Sequence, residues 1–231
     1  MANQWYPQDK EKLTELIDSL MNVPVKKQKI NGLIVPHAGY EFSGKIAGKA
    51  FALLKNSKKT KAIVIGPSHY IGFEGVRALK EIETPLGKIN IINNNFKTLD
   101  YEHSIDNQIP FLQRLGFKEI LPLVTGEISQ EKAKEIAKEL VKIKDAVFIF
   151  STDLSHFMKY NSAIETDRKT IRAIEECEKC EDVDACGKSA LIIMMALCKL
   201  KNYKPILIEY KNSGDITDDK SSVVGYSSFY F

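Results

Sequence analysis

The stretch DAVFIFSTDLSH, residues 145–156, decides the fold class. Its core, AVFIF, is a short unbroken apolar run rich in β-branched and aromatic residues, as in a strand buried on both faces. Burial on both faces is the mark of a parallel strand, because the helical crossovers that connect such strands cover the sheet on each side. The run then gives way to Ser-Thr-Asp-Leu-Ser-His, which places Asp153 and His156 just past the strand's carboxyl end.

The same unit recurs on either side. GLIVPHAGY (32–40) and KAIVIGPSH (61–69) are apolar runs ending at proline, each followed within two residues of that proline by a histidine. FKEILPLV (117–124) reads as a further strand, KPILIEYK (204–211) and SSVVGYSSFYF (221–231) as two more, and the region 76–92, around TPLGK, as a weaker strand pair. Helical spacing fills the intervals. Leu13, Leu16, Ile17 and Leu20 form one stripe, and Ser43 is placed to cap a helix bearing Ile46, Ala47, Ala50, Phe51 and Leu54. Residues 105–115 read as a helix kinked or shortened by Pro110, and further helices are predicted over 129–141, up to about 176, and from about 185 to 200. Strands alternating with helices predict an α/β, three-layer sandwich: a central, mostly parallel mixed sheet with helices on both faces. Ligands of such sheets bind beyond the carboxyl ends of the strands.

At 231 residues, with no repeat or linker, the chain reads as a single domain over 1–231, large enough to fold without disulfides or a structural metal. Charge is nearly balanced, 33 basic against 30 acidic residues, and only four of the basic residues are arginine, which argues against nucleic acid as a partner. No apolar stretch is long enough to span a membrane and no leader is evident at the N-terminus, so a cytoplasmic protein is expected.

Three of the four histidines, His37, His69 and His156, follow predicted strands closely enough to converge at one sheet edge. Each taken alone reads equally as a turn residue; together they point to metal binding, with Asp153 as ligand or orienting group. His103, in DYEHSIDNQIP, follows Glu102 and precedes a helix that Ser104 can cap, either as a surface histidine or as part of the pocket. Among the four cysteines, Cys177 and Cys180 have the spacing of half a zinc site but no second pair, and Cys198 reads as a core residue. Cys186 differs: with Asp184 as N-cap it falls in the first turn of a helix, where the dipole favours a thiolate. Two histidines and one anionic ligand suit iron(II) or another first-row metal, and a cysteine in that set shifts the preference toward copper(I) or zinc. No organic cofactor is predicted.

VPHAGYEFSGKIAG (35–48), IGPSH (65–69), EHSIDNQIPFL (102–112), STDLSHF (151–157), DACGK (184–188) and GDITDDKSSVVGY (214–226) resemble, in that order, the motifs of the Memo family. The resemblance implies a fold like that of the class III extradiol dioxygenases. It also implies metal ligation by His37, His69 and Cys186, with His156 and Asp153 beside the metal as catalytic groups; Tyr40, Glu102 and His103 are expected to line the pocket. The resemblance further implies a non-haem iron or copper protein with redox, dioxygenase-like activity on a small molecule, associated with radical-SAM and AMMECR-type proteins. Cysteine in place of the dioxygenase glutamate leaves a second expectation open, a non-catalytic protein whose pocket holds a peptide, metal or protein partner. A hydrolase using Cys186 as nucleophile has the residue types but no oxyanion-hole motif.

Overall fold

The computed structural model describes residues 5–231 apart from 27 and 179. The chain opens with helix α1 (Lys10–Leu20), strand β1 (Gly32–Val35), helix α2 (Tyr40–Ala52) and strand β2 (Lys61–Pro67). Short strands follow: β3 (Val76–Leu79), β4 (Glu83–Thr84), β5 (Gly87–Lys88), β6 (Asn90–Ile91) and β7 (Thr98–Leu99). Helices α3 (His103–Asp106) and α4 (Ile109–Arg114) lead into β8 (Glu119–Thr125), α5 (Gln130–Leu140), β9 (Ala146–Ser151) and α6 (Tyr160–Glu176). A 3-10 turn (Cys180–Asp182), α7 (Lys188–Lys201), β10 (Ile206–Asn212), α8 (Gly214–Thr217) and β11 (Gly225–Tyr230) complete it.

The sheet runs β10-β11-β1-β9-β2-β8-β3-β7, with β6 also on β8. Its centre, β1, β9, β2 and β8, is parallel, while β11 joins β1, β10 joins β11 and β3 joins β8 antiparallel. The expected mixed, mostly parallel sheet is therefore the one observed. Alternation along the central strands divides the core. Leu33, Val64, Val124 and Ile149 pack with Leu13, Phe51 and Phe111 of α1, α2 and α4, whereas Ile34, Ile63, Leu123 and Phe150 pack with α5, α6 and α7. Both faces of the sheet are covered, which explains the unbroken apolar runs in the sequence.

Register brings the carboxyl ends together: Val35 lies opposite Ser151, Ile65 opposite Phe150 and Pro67 opposite Thr125. His37, His69 and Asp153 each sit two residues past the end of a central strand and so emerge at one edge.

Three expected helix caps are placed differently. Ser43 is not a cap; α2 starts three residues earlier, at Tyr40 after Gly39, and the Ser43 hydroxyl donates to Ala38 O at 2.9 Å from inside the first turn. Glu102 rather than Ser104 caps α3, accepting from Ser104 N at 3.1 Å, while the Ser104 hydroxyl donates to Pro67 O at 2.7 Å. Gly187 rather than Asp184 precedes α7. In each case a polar side chain suited to capping is held by a tertiary partner or falls away from the helix start. Pro110 divides the 105–115 segment by starting α4, where its missing N–H costs nothing. Among the described residues, no helix is long and apolar enough to cross a membrane.

Helix α2 crosses α1 through glycines. A Cβ on Gly48 would stand 2.5 Å from the carbonyl oxygen of Leu20 at the end of α1. Helix propensity favours alanine at this position by about 1 kcal/mol, but overpacking against backbone costs about 1–3 kcal/mol, so the clash prevails. Gly48→Ala is expected to lower the urea midpoint without changing the m-value; a raised midpoint would show that α1 gives way freely.

Candidate metal centre

His37 leaves β1 through a bend held by three buried contacts. Its own N–H donates to Asp153 Oδ1 at 2.8 Å, Asn107 Nδ2 donates to His37 O at 2.6 Å, and Gln108 Nε2 donates to Pro36 O at 3.0 Å. The ring is oriented as firmly as the backbone. Nδ1 lies 2.9 Å from Ser151 Oγ, which also accepts from Gln108 Nε2 at 2.9 Å. Nε2 is thereby directed at Cys186 Sγ, 3.3 Å away, with Asp153 Oδ2 at 3.9 Å. Burial first, then the neighbouring His69 and His103, holds the His37 pKa well below its ordinary value, so its imidazole is neutral with a lone pair to offer.

His69 leaves β2 in the same way and is tied to one carboxylate. Its N–H donates to Glu102 Oε2 at 2.7 Å and its Nδ1 lies 2.9 Å from Oε1, leaving Nε2 for another partner. Glu102 also lies 3.1 Å from His103 Nδ1. Burial opposes its charge, but hydrogen bonds from His103, His69 and the Ser104 amide outweigh burial and hold the carboxyl far below the usual glutamate range. A carboxylate on the Nδ1 of a metal-binding histidine fixes the tautomer and raises ligand basicity.

Cys186 lies in the turn before α7, fixed by its close approach to β9. The Gly187 N–H donates to Thr152 Oγ1 at 2.9 Å, and a Cβ on Gly187 would stand 2.6 Å from the Thr152 Cβ. The sulfur accepts from Asp153 N at 3.3 Å. Because Cys186 precedes the helix rather than lying in its first turn, the expected thiolate is not supplied by the helix; burial and the Asp153 carboxyl push its pKa up, so the free group is a neutral thiol. A cation beside the sulfur is what releases that proton.

One ligand atom from each of His37, His69 and Cys186 lies within 4.8 Å of the others, and these three residues can hold a metal ion. Bonds of about 2.0 Å to nitrogen and 2.3 Å to sulfur at a tetrahedral angle place the two donors about 3.5 Å apart, close to the 3.3 Å between His37 Nε2 and Cys186 Sγ. The spacing of His37 and Cys186 therefore fits two donors of one ion, and His69 stands within 4.8 Å of both. His69, Glu102 and His103 form a second such group, whose atoms are already engaged with one another.

The other sequence-predicted residues divide. His103 joins the cluster, its ring centroid 4.3 Å from His69 and 5.5 Å from His37, with Trp5 stacked on it at 4.4 Å and the Tyr70 hydroxyl 3.0 Å from its Nδ1. Asp153 braces His37 and Cys186 from behind, buried, and burial raises its pKa. His156 is half-buried and its ring faces Phe157 at 5.7 Å rather than joining the three clustered rings. Tyr40 is buried one layer back, its hydroxyl donating to Asn107 O at 2.7 Å. Ser151, Asn107, Gln108 and Trp5 were missed; adjacent amides ahead of a helix break were the available signal for two of them.

The depressed Glu102 pKa makes a stability prediction. Its contribution is fully present above the ordinary glutamate value near 4.5 and is lost as the pH falls through its lower folded value. The gap in thermal midpoint between wild type and Glu102→Gln should be wide at pH 7 and close as the pH drops below that value. A gap unchanged down to pH 3 would refute the assignment.

Compared with known proteins, residues 1–230 match the family described as Memo-like protein. A MEMO1 family protein of Sulfurisphaera tokodaii is 34% identical over 277 aligned positions, covering 100% of this chain and 97% of the relative. One of Aquifex aeolicus is 33% identical over 261 positions, with 100% and 97% covered, and one of Thermoplasma volcanium is 33% identical over 258, with 99% and 95% covered. Matched from end to end, the chain belongs to the Memo family.

Proposed function

We propose that this chain binds iron(II) or copper through His37 Nε2, His69 Nε2 and Cys186 Sγ and carries out redox chemistry on a small molecule. The observation that carries the reading is the meeting of three donors from three separate loops within 4.8 Å, with each imidazole's other nitrogen held by Ser151 or Glu102. Two imidazoles and a thiolate suit copper or iron(II), and zinc would bind but bring no redox chemistry. The metal would supply Lewis acidity and one-electron exchange.

The remaining residues position and protect. Asp153 holds the His37 backbone and the Cys186 sulfur in one frame, and Glu102 turns His69 inward. In this reading His156, half-buried and close enough for its charge to act on His37 and Asp153, moves a proton between the site and solvent. A cleft of about 430 Å³, bounded by Ser68, Ile71, Phe73, Thr125, Cys186 and Ser189, opens beside the sulfur. That volume suits a small molecule with an apolar body.

In protein purified without air and loaded with iron(II) or copper(I), His37→Ala and Cys186→Ala should each bring metal stoichiometry close to zero. Retention of a full equivalent by either would remove that residue from the ligand set. Ser151→Ala keeps all three ligands but frees the His37 ring, and chelator competition should show affinity weakened by roughly 10- to 100-fold. Oxygen uptake by the loaded protein across a panel of small phenols then separates turnover from mere binding; full loading with no uptake would favour the binding protein.

A further inference from the structure

None of the three proposed ligands comes from GDITDDKSSVVGY, residues 214–226, but this segment holds the loop beside them. Leu154 N donates to Gly225 O at 2.8 Å and Gly225 N to Ser155 O at 2.9 Å. Val223 N donates to Met158 O at 2.8 Å, and Tyr160 N to Lys220 O at 3.2 Å. Between these anchors the chain turns outward at His156 and Phe157, with Phe157 78% exposed and its φ at 58°. A bulky residue in the left-handed region persists only where its surroundings over-determine it. Asp167 completes the frame from α6. It is fully buried, with Oδ1 accepting from Ser155 N at 2.9 Å and Oδ2 from the Tyr210 hydroxyl at 2.7 Å. A Cβ on Gly225 would overlap the same carboxyl. One side chain thus fastens the loop after β9 to α6, β10 and β11 at once.

We propose that Asp167 is a positioning residue for the metal centre, acting through the Ser155 amide on Asp153 and on the Cys186 sulfur packed against it. Asp153 stands two residues before Ser155. Its N–H donates to the sulfur at 3.3 Å, its carbonyl oxygen lies 3.6 Å from the same sulfur, and its Oδ1 accepts from His37 N at 2.8 Å. A shift of the Ser155 amide is passed along this short stretch to two of the three ligands. His156, on the other side of Ser155, moves with it. Burying a carboxyl is costly unless donors compensate, and both oxygens of Asp167 are engaged, one by a backbone amide and one by a hydroxyl from another element. The purpose of the brace rests on the metal-binding reading above, whereas the brace itself belongs to the polypeptide alone.

Iodoacetamide alkylation of the full-length, metal-free protein, with each cysteine followed by peptide mapping, tests the brace. Asp167→Ala releases Ser155 N and should speed alkylation of Cys186 several-fold relative to Cys198, which is 1% exposed in α7 and reports general loosening. Asp167→Asn keeps an oxygen for Ser155 N and should stay near the wild-type ratio. Gly225→Ala, whose added Cβ pushes the carboxyl away from Ser155, should act like Asp167→Ala and serves in its place if that variant fails to fold. A wild-type ratio in Asp167→Ala or Gly225→Ala, or Cys186 and Cys198 sped alike as a merely structural role requires, overturns the proposal. Chelator competition on the loaded variants should show metal affinity weakened by about tenfold in Asp167→Ala. A wild-type protein that takes up no metal would sink the metal-binding reading alone, because the alkylation ratios are measured without it.

Discussion

Parallel pairing of β9 with β1 on one side and β2 on the other determines where each part of the site begins. Because Val35 is opposite Ser151 and Ile65 opposite Phe150, the loops after all three strands start at one level. A shift of one residue in either pairing would reverse which side chains enter the core. The cost of such a shift is high, since Ile34, Ile63 and Phe150 are fully buried on one face while Leu33, Val64 and Ile149 are fully buried on the other. Core packing thus sets the register, and the register sets the spacing of His37, Asp153 and His69.

The centre is assembled around groups whose charges are controlled by unlike means. His37 is neutral because burial and the neighbouring imidazoles oppose its proton, and Cys186 is neutral because burial and Asp153 oppose its loss. Glu102, equally deep, keeps its charge because several donors point at it. The free protein therefore presents two histidines, a thiol that ionises on metal binding, and one fixed negative charge behind His69. That arrangement holds the imidazoles ready and makes binding of a cation release a proton.

Helix α7 fixes the turn that carries Cys186. Its N-terminal approach, through Gly187 against Thr152, delivers Cys186 beside His37. That placement depends on the apolar middle of the helix, where Leu191, Met194 and Leu197 are fully buried.

Fold class was legible because two-face burial leaves an uninterrupted apolar run, and β1, β2, β8 and β9 each carry one. The meeting of His37 with His69 was legible through the histidines that follow two of those runs, whereas Cys186 lies apart from them, in the turn before α7. Capping was not: Ser43, Ser104 and Asp184 all have capping side chains, but the hydroxyls of Ser43 and Ser104 found nearby backbone carbonyls, and α7 began beyond Asp184. Distance along the chain from a strand end says nothing about which way a loop turns, and Glu102 draws His103 inward while His156 faces Phe157. The sequence by itself determined the layers, the strand ends and the types of ligand, because these follow from local burial and periodicity. The tertiary structure decided which His37 nitrogen faces Cys186 and that the Cys186 thiol is neutral, because each depends on contacts between residues far apart in the chain.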